Sequence, residues 1–103
     1  MKATPEFHPL VRFDLLESFV WYESEQSDLG GRFMHQAGAS FDRLPHDAWL
    51  YRPRFSDIRR VNLRAFPHGI FYFISGESVI VLGVLHAARD SEAELRRRRE
   101  IYG

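Results

Sequence analysis

The chain has 103 residues, 45% hydrophobic and 15% aromatic, enough apolar surface for one compact core and too few residues for two ordinary domains. With no cysteine it excludes a disulfide framework, a zinc ribbon and a thiol nucleophile, and its longest apolar run, Val79 to Leu85, falls far short of the roughly 20 residues that span a bilayer. The formal net charge is zero, but residues 1–51 carry four Lys/Arg against eight Asp/Glu and residues 52–103 carry ten against six.

That polarity either gives the C-terminal half a positive face for a polyanion or an acidic protein, or reflects a mixed, solvated surface. The N-terminus MKATPEF has no apolar core of the kind a signal peptide needs. No linker, repeat or low-complexity segment divides the chain. The expectation is one soluble, intracellular domain over 1–103 with no membrane partner.

In chain order, Lys2 to Phe7 reads as a short edge strand, weakened by Pro5, which lacks a ladder donor. A helix is expected from Pro9 to about Glu25, with Val11, Leu15, Phe19 and Tyr22 forming an apolar stripe that Leu16 and Val20 widen. After Gln26-Ser27-Asp28 a second helix follows, with Asp28 as N-cap, Leu29, Phe33, Ala37, Phe41 and Leu44 on one face, and Pro45 as its stop. So short a break predicts an antiparallel helix hairpin, and the Gly30-Gly31 pair suggests close packing of the second helix on the first.

Residues 45–56 show no period and read as an ordered loop. From Ile58 the period becomes two: Arg59, Val61 and Leu63 point one way, and Ile58, Arg60, Asn62 and Arg64 the other. Turns at Phe66-Pro67-His68-Gly69 and Gly76-Glu77 separate this strand from Ile70–Ser75 and Val79–His86, giving a three-stranded antiparallel meander. The last two strands are apolar at nearly every position, so both faces must be covered, one by the helix hairpin and the other by the loop, the tail or a partner chain. Ser91 to Arg99 can form a short C-terminal helix with Ser91 as N-cap, and its Arg96–Arg99 run either complements the helix C-terminus or is a solvated tail.

The residues along the meander carry a family pattern. Ile58-Arg59-Arg60, Leu63-Arg64-Ala65-Phe66-Pro67-His68-Gly69-Ile70-Phe71-Tyr72, the strand Val79–His86 and Arg89-Asp90 resemble the VRR, L-x-x-FPY-x-I-x-Y and H-x-x-R motifs of the ParE branch of the RelE/ParE superfamily. Asp14-Leu15-Leu16-Glu17, Trp21-Tyr22-Glu23 and Leu29-Gly30 with Phe33 are similar to its D-L-x-E, W-Y-E and L-G-x-x-F signatures. The resemblance spans roughly residues 7–90 and departs at His68, where the family usually has Tyr, and at Ser91, where Pro often follows.

The resemblance implies an α+β fold, with an N-terminal strand and a two-helix hairpin packed on an antiparallel meander, followed by a short C-terminal helix or tail. It implies the toxin of a type II toxin-antitoxin system, of the kind also called plasmid stabilisation proteins, neutralised by a cognate antitoxin that carries any operator-DNA binding. Members of the ParE branch block DNA gyrase by binding, whereas RelE-type relatives cut messenger RNA on the ribosome. A nuclease of that type needs a general acid or base, a cation for the phosphorane and a tail Tyr. Here Arg60, Arg64 and Arg89 could supply the cation and His86 is the best acid or base, but Tyr102 lies 13 residues beyond Arg89, and no lysine follows Lys2.

The expectation is therefore a non-enzymatic gyrase inhibitor, with a ribosome-dependent RNase as the alternative. Arg60, Arg64, Arg89, Arg96 and Arg97 are the expected target-binding residues, and Leu16, Phe19, Val20, Phe33 and Tyr72 the expected antitoxin-binding ones. No cofactor is expected. The histidines lack metal-ligand spacing, and neither a phosphate-binding glycine loop nor a dinucleotide fingerprint is present.

Overall fold

The computed structural model describes residues 4–103. The change of period after Ser56 marks the meander itself: β3 (Ile58–Asn62), β4 (His68–Ser75) and β5 (Ser78–His86) pair antiparallel in sequence order. The stretch expected to be loop adds a fourth strand, β2 (Pro53–Phe55), on the outer edge of β3, where Pro53 costs no ladder bond. β1 (Thr4–Phe7) completes the sheet by pairing parallel with β5, so the spatial order is β1-β5-β4-β3-β2. Lys2, expected in the first strand, lies outside the described residues.

Two helices, α1 (Val11–Glu25) and α2 (Leu29–Asp47), form the expected hairpin on one face of the sheet. That face holds Val11, Phe33, Leu44, Leu63, Ile70, Tyr72, Val79, Val81 and Val84. The other face carries Ile58, Phe71, Phe73, Ile80, Leu82 and Leu85 and is covered by α3 (Glu92–Glu100) through the fully buried Leu95. The tail thus supplies the second cover that two apolar strands required. Where α3 ends, arginine stems take over: the guanidinium groups of Arg60, Arg96 and Arg99 lie 5.3, 5.1 and 3.7 Å from the ring centroids of Phe71, Phe55 and Phe73.

A bulge sets the phase of β5. Tyr72 pairs with Val81 but Phe71 pairs with Gly83, so Leu82 is the extra residue and the alternation resets behind it. Val84 thereby joins Val79 and Val81 under the helices, and His86, opposite His68, points the same way.

Four features of the helix ends differ from expectation. α1 begins at Val11 rather than Pro9, because the His8 imidazole and carbonyl accept from Leu10 and Val11 N–H and hold a turn there. Asp28 does not cap α2. It sits at φ 72°, the left-handed conformation that so tight a connection needs and that Asp tolerates. The Glu23 carboxylate instead accepts from the Asp28 and Gly30 N–H groups, each at 3.0 Å. Pro45 does not stop α2, which continues to Asp47. Proline removes one donor, and with the helix one turn from its end few bonds remain to lose. Ser91 likewise makes no side-chain cap, its Glu94 partner being engaged by arginines.

Gly30 is required for the hairpin, since a Cβ there would lie 2.7 Å from the Phe19 carbonyl oxygen. Gly31 meets nothing and carries no such constraint. Among the described residues no helix is long and apolar enough to cross a membrane.

Candidate functional site

β1 covers β5 only from Ser78 to Val81, after which the β5 edge runs on without a neighbouring strand. Two side chains satisfy its exposed backbone. Asp14 of α1 accepts from the Val84 N–H at 3.1 Å, and Arg98 of α3 donates to the Leu82 carbonyl at 3.0 Å. The two side chains also pair with each other, through contacts of 2.7 and 3.0 Å, and both are more than nine-tenths buried. Burial alone would lower the Arg98 pKa, but the hydrogen bonds it donates to the Asp14 and Glu94 carboxylates outweigh it and hold the guanidinium more basic than usual. Gly83 makes room for the pair: a Cβ there would come within 2.9 Å of Arg98 Nη1 and 3.3 Å of Asp14 Oδ2.

Beyond this clamp, α1 and the ends of β4 and β5 enclose a cleft of about 370 Å³ that includes Ser18, Trp21, Tyr22, His68, His86 and Arg89. His68 is 5% exposed, and its ring centroid lies 5.0 Å from Phe33, 5.3 Å from His86 and 5.8 Å from Tyr22. Its Nε2 is 3.1 Å from Ser18 Oγ, and its Nδ1 has no protein partner. Burial, with a smaller push from His86, lowers its pKa to about 4, so at neutral pH it is uncharged. His86 is exposed, and its Nδ1 accepts from the Ala88 N–H at 3.0 Å, which places the proton of the neutral ring on Nε2. The exposed Arg89 follows one turn later, its N–H bonded to the His86 carbonyl.

The other expected cations lie elsewhere. Arg60, on β3, opens into a separate groove at the β2–β3 edge with Arg52 and Arg54, and Arg64 is exposed beyond the end of β3. Arg96 and Arg97 stand on α3, paired with Glu92 at 2.9 Å and Glu94 at 2.8 Å, so the tail run is an ion-paired helix rather than a loose solvated tail. Tyr102 packs 5.5 Å from Phe73 and 6.2 Å from His8, away from His86 and Arg89. Of the proposed nuclease set, only His86 and Arg89 share a cleft. Among the described residues no cluster of three metal-ligating side chains occurs.

The expected antitoxin contacts divide by burial. Leu16 and Val20 are each 57% exposed on the outer face of α1, and Leu16 and Phe19 line an apolar groove of about 550 Å³ with Arg12, Phe13, Leu15 and Met34. Phe33 and Tyr72 are fully buried and offer no surface. Phe33 points from α2 into the sheet, and the Tyr72 hydroxyl donates to the Ala48 carbonyl at 2.7 Å. A partner on α1 would touch neither directly. Sequence reasoning missed Asp14, Ser18 and Arg98, although the first two lie three and seven residues after Val11 on the buried stripe, where an acid demands a cation.

The ParE toxin of type II toxin-antitoxin systems matches this chain over residues 6–91. The chain belongs to the ParE toxin family. Among solved structures, a chain from the chromosomal ParDE toxin-antitoxin system of P. aeruginosa superposes with a TM-score of 0.75 at 11% identity, covering 82% of this chain and 96% of that one. At that identity the likeness establishes the fold. Comparison with curated proteins gives no match. As a family member the chain is a ParE-type toxin domain, and the fold anticipated from the meander motifs is the one observed.

Proposed function

We propose that this ParE-family toxin poisons DNA gyrase by binding to it and is neutralised by a cognate antitoxin. The observation that carries the reading is the separation of the groups a nuclease would need. His86 and Arg89 line the α1–β5 cleft, Arg60 lines the β2–β3 groove, and Tyr102 packs against Phe73. General acid-base cleavage requires its groups within hydrogen-bond reach of one phosphodiester. Exposed arginines spread over the surface suit docking instead: Arg64, Arg89, Arg96 and Arg97, with Arg60, would meet acidic patches of gyrase or the DNA it holds.

Neutralisation rests on the outer face of α1. Phe13, Leu16 and Val20 are 51%, 57% and 57% exposed beside Met34, a patch suited to the apolar face of an antitoxin segment that folds as it binds. Leu16, Phe19 and Val20 would touch that segment, while Phe33 and Tyr72 would support it only from beneath. Operator DNA would be bound by the antitoxin's other part, with this chain as co-repressor, and the site of action would be the cytoplasm.

The ribosome-dependent RNase remains the second reading because His86, with Nε2–H free to donate, stands beside Arg89 in an open cleft. Two assays on the purified chain decide between them: plasmid supercoiling by gyrase, and primer extension on a message translated in vitro. Blocked supercoiling or trapped cleaved DNA with intact message is expected. Cutting of the message only when ribosomes are present, with gyrase unaffected, would transfer the function to the second reading.

A further inference from the structure

The single 3-10 turn Ala48–Leu50 that follows α2 sends Ala48 into the core and leaves its other two side chains, Trp49 and Leu50, outside. At 69% and 75% they are the most exposed large hydrophobic side chains among the described residues. The Arg59 guanidinium lies 4.9 Å from the indole centroid and is itself held by the Tyr51 carbonyl, which braces the ring from β3. Together the two side chains make an apolar projection beside β2 that the core does not need and nothing in this chain covers.

The complementary shape lies elsewhere on the fold. The groove on the outer face of α1 encloses about 550 Å³ and is lined by five apolar side chains and Arg12. That volume, within the roughly 300–1,000 Å³ of pockets that hold drug-sized molecules, has room for an indole and a leucine side chain. α1 packs on α2 and β5, toward the β1 edge of the sheet, whereas the projection stands by β2 at the other edge, so a chain cannot fill its own groove. Charge matches shape. Residues 11–47, which carry the groove, hold seven carboxylates against three arginines, and Glu17 stands exposed beside Leu16. Residues 48–64, which carry the projection, hold five arginines against one carboxylate, Asp57, and that one is paired with Arg99. An acidic partner would suit the projection but not the groove, and a basic partner the reverse. A second copy of this chain presents both, and its zero net charge raises no repulsion between copies.

We infer that the chain associates head to tail with a second copy of itself, with Trp49 and Leu50 of one copy seated in the α1 groove of the next. Because the two surfaces differ, the contact is heterologous, and each pair leaves one groove and one projection free for further copies. The groove is the one assigned above to the antitoxin, so the two occupants compete for it. The association needs neither antitoxin nor gyrase, so it is tested on the chain alone and its failure leaves the gyrase reading standing.

The experiment is sedimentation velocity of the purified chain over a concentration series at low and high salt. The average mass is expected to climb past twice the 12.1 kDa of the monomer as concentration rises, and less steeply at high salt. W49A/L50A, which keeps the groove, and Leu16→Glu, which keeps the projection, should each weaken association roughly tenfold or more. Mixed in equal amounts, the two variants should form a heterodimer of twice the monomer mass and nothing larger, since one groove and one projection survive between them. All three side chains are exposed, so the fold is kept, and Met34→Glu repeats the groove arm from α2. A monomer throughout the series, association unchanged in either variant, or a mixture that fails to restore the pair would overturn the inference.

Discussion

The two edges of the meander use arginine in opposite ways. At the β5 edge Arg98 is 6% exposed, paired with Asp14 and bonded to the Leu82 carbonyl, closing a strand end that β1 leaves bare. At the β2 edge Arg52 and Arg54 are exposed, and neither they nor Arg60 has an acid partner among the described residues. Charge at the first edge is a structural joint, and charge at the second is a displayed surface. The arginine-rich half of a chain is therefore not one functional face, and only the partners of each guanidinium tell joint from display.

Breaking the joint should have the largest effect. Arg98→Ala leaves Asp14 as an uncompensated buried carboxylate and should cost about 3–5 kcal/mol of stability, read from urea unfolding. Asp14→Leu with Arg98→Met should recover much of that loss, because it removes both desolvated charges at once.

The next effect depends on pH and lies in the neighbouring cleft. The folded-state pKa of His68, about 4, is below its unfolded value of 6.5, so between those values the unfolded chain binds the extra proton. Stability from a neutral His68 is fully present above about pH 6.5 and is lost as pH falls toward 4, by as much as about 3 kcal/mol. Unfolding free energies measured from pH 7 to pH 4.5 should show that slope, and His68→Gln should remove it. The depressed Glu94 pKa, held near 2 by hydrogen bonds from Arg97 and Arg98, acts mainly below its ordinary value of 4.5, beneath the pH 7 to pH 4.5 range that reads His68.

Gly83→Ala tests the joint more gently. Its Cβ would press on Arg98 Nη1 and on Leu95 Cδ2, and thermal unfolding should report a loss of about 1–3 kcal/mol. At the displayed edge, Arg54→Ala should change stability by less than about 0.5 kcal/mol in either direction, since no folded-state ion pair is lost. A loss as large as that at Arg98 would show that the two edges are not distinct.

Much of the fold was legible because period and punctuation agree: the alternation from Ile58, the turn at Gly76-Glu77 and the stripe from Val11 each specify an element that the structure contains, whereas His68 and Gly69, expected in a turn, open β4. What escaped was set by tertiary partners. β2 exists because β3 offers an edge to Pro53–Phe55, α2 passes Pro45 because little helix remains after it, and Asp28 yields its capping role to Glu23 from the other helix. The candidate site was legible in identity and not in grouping. Arg60 and Arg89 alternate with apolar residues or close a motif in ways a single sequence cannot distinguish, and only the sheet order sends them to different clefts. Phe33 and Tyr72 have the residue types of a docking face, but both lie under the hairpin in the core.

The measurement that tests binding without chemistry most directly is gyrase supercoiling with the purified toxin and its His86→Ala variant side by side. Equal inhibition by both, with cleaved DNA trapped on gyrase, is the predicted result. Unimpaired supercoiling with either protein, together with ribosome-dependent message cutting that His86→Ala abolishes, would contradict it.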